Sequence, residues 1–202
     1  MNKKRVDTRR MVLLAMLSCI LLVMSFTPLG YLPIGPLAIS LNMIPVAIGA
    51  VALGPGGGAF LGAVFGITSC LQCVGIGGTS PMGVILFEIS PVLTILQRFV
   101  PRVLTGLLTG LAYLGMRKLQ FKYAGYVAGL CAALLNTILF MTALIALFYN
   151  TQYLQELIGG SNVLVWAVLF VGVNALLELL AATVIVGFVC KALEKLKMIG
   201  GK

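Results

Sequence analysis

Apolar stretches long enough to cross a lipid bilayer recur along almost the entire chain, and this recurrence fixes the class of fold before any motif is considered. A hydrocarbon core about 30 Å thick needs roughly 20 apolar residues per helix. Six spans can be placed on that basis, at residues 11–26, 38–53, 57–73, 92–116, 123–148 and 163–190. The polar gaps between them are too short to bury a core of their own. Residues 1–202 are therefore read as one all-α integral membrane domain of six transmembrane helices, in keeping with a chain that is 60% hydrophobic and 9% charged.

The placement of positive charge orients these spans, because Lys and Arg are retained on the cytoplasmic side. With the N-terminus inside, the inner segments hold Lys3, Lys4, Arg5, Arg9, Arg10, Arg117, Lys118, Lys122, Lys191, Lys195, Lys197 and Lys202. Of the 14 basic residues only Arg98 and Arg102 are left, and both lie within the fourth span. Both termini are thus expected in the cytoplasm. The same distribution explains a net charge of +9 without nucleic acid. The first apolar run has no small-residue cleavage site after it, so it is read as a retained helix rather than a signal peptide. Cys19 is not read as lipidated, because the apolar run continues past Met16-Leu17-Ser18-Cys19.

The connections differ in kind. Leu53-Gly54-Pro55-Gly56-Gly57-Gly58 predicts a tight turn joining the second and third spans into a helical hairpin. Two outer loops, at 28–36 and 74–91, are rich in Pro and Gly, and long loops over a helical bundle often act as lids. Pro91 suits the first turn of the fourth helix, and Pro101 inside that helix predicts a kink. No internal repeat is evident, which weighs against inverted transporter halves.

Ionisable groups at membrane depth are costly and tend to mark function or a buried pair. Measured from the cytoplasmic ends of their helices, Arg102, Asn136 and Glu178 all lie roughly 20 Å up. Asn174 is one turn above Glu178 on the same face, and Gln97 and Arg98 are one turn above Arg102. Six residues from three helices thus define a candidate small-molecule pocket on the outer side of the midplane. The alternative on the same residues is that Arg102 and Glu178 neutralise each other while the asparagines bridge helices.

Other chemistry finds little support. Cys70-Leu71-Gln72-Cys73 is a C-x-x-C pair that a membrane thiol oxidoreductase could use, but it has no second pair. The chain contains no histidine, its only aspartate is Asp7, and it lacks a phosphate-binding G-x-x-x-x-G-K-[ST] loop. Histidine-bound metal chemistry, Ser/His proteolysis and self-contained ATP hydrolysis lose their necessary groups. The chain is read as a non-enzyme without metal or other cofactor. A stand-alone transporter in which Glu178 carries a coupling proton stays open on these residues.

The sequence also resembles the substrate-binding S components of energy-coupling factor (ECF) vitamin transporters, in the branch that includes pantothenate-type members. The resemblance covers nearly the whole chain. It rests on Phe26-Thr27-Pro28-Leu29-Gly30-Tyr31-Leu32-Pro33-Ile34-Gly35-Pro36, Ile44-Pro45, Leu53-Gly54-Pro55, Pro101-Arg102 before Gly106, Asn136-Thr137, and Asn174 followed by Glu178. It implies a six-helix bacterial plasma-membrane protein that binds a vitamin near the outer face. It also implies docking on one transmembrane coupling protein and two ATPase subunits, whose ATP hydrolysis drives delivery inward. The family's Ala-x-x-x-Ala docking motif on the first helix is matched here by Ala15 and Cys19. Pantothenate fits the polar set, its carboxylate suiting Arg102 with help from Arg98, and its hydroxyl and amide groups suiting Asn136, Asn174 and Glu178.

Overall fold

The computed structural model describes residues 8–27, 30–34, 37–77, 80–160 and 162–196. Lys3, Lys4, Arg5, Asp7, Pro28, Leu29, Gly35, Pro36, Lys197 and Lys202 lie outside the described residues. The elements run in the order α1 (Thr8–Ser25), β1 (Tyr31–Ile34), β2 (Leu37–Ser40), α2 (Met43–Leu53), α3 (Pro55–Cys73), α4 (Pro81–Ile89), α5 (Pro91–Lys118), α6 (Ala124–Phe148), α7 (Gln152–Ile158) and α8 (Val163–Lys195). Among the described residues, five segments are long and apolar enough to cross a membrane: α1, α3, α5, α6 and Asn174–Lys195 of α8. The count reaches six if α7 and the first part of α8 form one broken span.

The expected second span, 38–53, is corrected by the structure. Its first residues are strand, with Leu37–Ser40 pairing antiparallel to Tyr31–Ile34, and the helix starts only at Met43. Eleven residues rise roughly 16 Å, about half the hydrocarbon thickness, so α2 is too short to cross it alone. The hairpin's root is pinned where the Leu41 N–H donates to the Gly30 carbonyl at 3.1 Å. The expected loop 74–91 is corrected in the same way, for it contains α4. Pro81 opens that helix at its first turn, where a missing N–H is harmless. The last expected span, 163–190, is interrupted, because the backbone of Gly172 leaves helical geometry.

Helix α5 is the axis of the bundle and packs most closely on α3. Gly58, Gly62 and Gly66 lie on one face of α3, and a side chain at any of them would strike α5. At Gly58 it would meet the Gly106 carbonyl, at Gly62 the Arg102 carbonyl, and at Gly66 the Phe99 ring at 2.8 Å. Small residues four apart let two helix backbones touch, which is how membrane helices gain packing energy without a hydrophobic driving force. A similar approach joins α6 to α8, where a side chain at Gly129 would strike the Ala182 carbonyl. The turn between α2 and α3 is made at Gly54, whose φ of 84° favours glycine.

Two apolar clusters result. One spans α1, α2, α3, α5, α6 and α8 and includes Leu21, Met43, Leu61, Phe65, Tyr113, Ala132 and Ala182. The other joins α4, α6, α7 and the start of α8 through Met82, Leu86, Leu144, Phe148, Leu154 and Trp166. On α6 the first cluster reaches Ala133 and the second begins at Met141, so Asn136 stands between them.

Candidate functional site

The polar layer between the two clusters is built on α5. Gln97, Arg98 and Arg102 fall on its buried face together with Thr94, Pro101 and Thr105, as the helical period requires. Pro101 has no N–H to close on the Gln97 carbonyl, and the helix continues through it. Arg102, 5% exposed, turns its guanidinium back along the helix, so that Nη1 donates to the Arg98 carbonyl at 2.5 Å. The Arg102 guanidinium carbon lies 4.4 Å from the centre of the Phe65 ring and 5.7 Å from that of Phe140. Arg98 shares the Phe140 ring at 5.3 Å, and its Nη2 donates to Ser80 Oγ at 3.2 Å. Aromatic faces of this kind hold a cation in place in a low-dielectric setting.

Helices α6 and α8 supply the opposite wall. Asn136 Nδ2 donates to Glu178 Oε1 at 3.3 Å, and Glu178 is buried within electrostatic reach of Arg102. Asn174, also buried, lies two residues after the break in α8. Gln97 is wholly buried, and neither atom of its amide has a hydrogen-bond partner. Five of the six sequence-derived positions are thus buried in the bundle, and Asn136 is half-buried. Arg98 and Arg102 meet through Phe140, and Asn136 meets Glu178.

Sequence reasoning missed Phe65, Phe140 and Ser80. Phe140 had a usable signal, since it stands one turn after Asn136 on the same helix face. Phe65 had none, because its partnership with Arg102 depends on how α3 packs on α5. Ser80 lay in the segment read as loop.

The cysteine pair borders the arginine side of this layer. Cys73 is buried and donates through Sγ to the Ser69 carbonyl at 3.3 Å, and Cys70 is half-buried and not bonded to it. Cys73 also packs beneath α4, where a side chain at Gly83 would lie 2.8 Å from its Sγ and 2.9 Å from Arg98 Nη2. Ala15 and Cys19 are exposed on α1, which turns Leu17, Leu21 and Ser25 inward. An apolar groove of about 450 Å³ opens at the start of α1, between Met11 and Leu14 on one side and Leu53 and Phe60 on the other.

The profile of the family described as "ECF transporter, substrate-specific component" matches residues 9–189, almost the full length. The chain belongs to this family. Two relatives extend the comparison. The pantothenate transporter PanT of Leuconostoc mesenteroides is 28% identical over 191 residues, covering 89% of each chain. The pantothenic acid transporter PanT of Lactococcus lactis subsp. cremoris is 26% identical over 170 residues, covering 79% of this chain and 80% of its own. As an ECF substrate-specific component, the protein is a multi-pass membrane protein of the bacterial plasma membrane and works in transport.

Proposed function

We propose that this S component captures pantothenate from outside the cell and delivers it inward with ATP hydrolysis supplied by partner subunits. The observation that carries this reading is the charge of the polar layer. Arg98 and Arg102 are two buried cations facing a single buried carboxyl, that of Glu178, so the layer carries an excess of positive charge. That excess suits a ligand carrying a carboxylate better than a neutral vitamin. Both relatives are named for transport of pantothenate, a monoanion with hydroxyl and amide groups along its length. Arg102 and Arg98 hold the carboxylate. Gln97, Asn136, Asn174 and Glu178 exchange hydrogen bonds with the rest.

In this reading the end carrying Arg117, Lys118, Lys122, Lys191 and Lys195 faces the cytoplasm with both termini, and the β-hairpin, α4 and α7 face outward. The hairpin and α4 cover the entrance as lids. The exposed face of α1, with Ala15 and Cys19, docks on the transmembrane coupling protein of a module that also holds two ATPases, small residues allowing close helix approach.

Native mass spectrometry of the protein in mild detergent tests the assignment, with pantothenate and other vitamins as competitors for any co-purified molecule. Displacement by pantothenate at nanomolar to low micromolar concentration is expected. Failure of every vitamin to bind, together with proton-driven uptake by this chain alone in liposomes, would replace it with a stand-alone transporter.

A further inference from the structure

We infer that Asn42 is a further ligand-reading residue of this site, and that its amide takes a neutral hydroxyl or amide group of the molecule whose carboxylate the arginines hold. The inference rests on the pantothenate reading above.

Asn42 is wholly buried, and neither Oδ1 nor Nδ2 has a hydrogen-bond partner among the described residues. Asparagine just before a helix usually caps it, but this side chain makes no cap bond and its backbone is already helical (φ −61°, ψ −17°). The amide is therefore left over from the local structure. Buried polar groups are ordinarily satisfied, and an unsatisfied primary amide inside a membrane bundle calls for a partner.

The packing places Asn42 at the depth of the arginine head groups. Ala50, Gly58 and Gly106 meet at one level, since a side chain at Gly58 would lie 2.7 Å from Ala50 Cβ and would strike the Gly106 carbonyl. Asn42 is eight residues above Ala50, roughly 12 Å. Arg102 is one turn above Gly106, and its guanidinium reaches one turn further to the Arg98 carbonyl, again roughly 12 Å. Helix α2 packs on α5, α6 and α8, the three helices that carry the other polar groups. Packed helices have axes about 8–10 Å apart, a distance that a small molecule with polar groups at both ends bridges.

The position also lies at the root of the hairpin. Asn42 Oδ1 would lie 2.8 Å from a side chain at Gly30, the residue whose carbonyl pins the root of the hairpin. Gln97 offers a second partnerless amide near the same depth, on the turn that carries Arg98. The Thr109 hydroxyl is also partnerless, but it lies beyond Gly106 toward the basic end and outside the layer. An amide donates and accepts, so Asn42 selects a neutral group that does both, and it adds nothing to the charge balance set by Arg98, Arg102 and Glu178.

The test is Asn42→Leu, with Asn42→Ala carrying the same measurements should leucine prevent folding. Pantothenate affinity and the ligand-free unfolding temperature are measured side by side with the unsubstituted protein. The expected result is an affinity at least tenfold weaker with an unfolding temperature unchanged or higher, because an unsatisfied amide has been removed. A pantothenate analogue lacking its chain hydroxyls should bind the unsubstituted protein more weakly, and it should lose less than twofold further in the variant. Unchanged pantothenate affinity in the variant would overturn the inference and leave the pantothenate reading standing. A lowered unfolding temperature would overturn it too, by showing that the amide holds the fold. Absence of pantothenate binding to the unsubstituted protein would remove both.

Discussion

Replacing Arg102 by Met removes the charge on which the proposed carboxylate site depends while keeping most of the side-chain volume. The polar layer then keeps one buried cation, Arg98, facing Glu178 and loses the other that would meet a carboxylate. Truncating one partner of a buried, hydrogen-bonded charge pair costs roughly 2–5 kcal/mol. At about 1.4 kcal/mol per tenfold, pantothenate affinity should fall between about 30-fold and several thousand-fold. The lower end is expected, because Arg98 shares the Phe140 ring and can take part of the load. Arg102→Lys keeps the charge but loses the flat face stacked 4.4 Å from Phe65, a contact worth roughly 0.5–2 kcal/mol, or about 2- to 30-fold. Isothermal titration in lipid nanodiscs should therefore rank affinity as Arg, then Lys, then Met. An analogue with the carboxylate reduced to an alcohol should bind the Met variant as well as it binds the unsubstituted protein. Equal pantothenate affinity in Arg and Met proteins would refute the reasoning, and so would Lys behaving as Met.

Other substitutions probe the parts that hold this site. Phe65→Leu leaves every charge in place but removes the ring beneath Arg102, and titration should show affinity lower by about 2- to 30-fold. Gly62→Val drives a side chain into the Arg102 carbonyl, and thermal unfolding in detergent should register a loss of roughly 1–3 kcal/mol or more. Ala15→Trp, on the exposed face of α1, should leave pantothenate affinity within about twofold in the isolated protein and abolish uptake in vesicles containing the coupling module. Uptake unchanged by that substitution would remove α1 from the docking surface.

Hydropathy locates a helix where a run is long, uniform and ended by charge or proline. That is why α5 and α6 lie close to their expected bounds. It fails where an apolar run changes structure without changing character. Residues 37–40 are as apolar as the helix that follows, so Ala38-Ile39-Ser40 falls within the expected second span although it pairs with β1. Helix α4 was hidden for the opposite reason. Its flanking Gly75, Gly77, Ser80 and Pro81 made the whole segment look like loop, although nine residues between two prolines suffice for two turns of helix. At the site, depth was legible because rise per residue is constant, and facing along α5 followed from the helical period. Contacts between helices were not legible. The stacking of Arg102 on Phe65 depends on the glycine face of α3, and no property of Arg102 announces it.

That glycine face has a mechanical consequence. Three successive turns of α3 meet α5 with no room for even one methyl group, so the two helices cannot slide or roll past each other without collision. They behave as a single stiff plank with both arginines fixed to it. The opposite wall is jointed, since α8 loses helical geometry at Gly172, two residues before Asn174. The break therefore lies in the wall that carries Asn174 and Glu178, and the α3–α5 wall that carries both arginines is continuous.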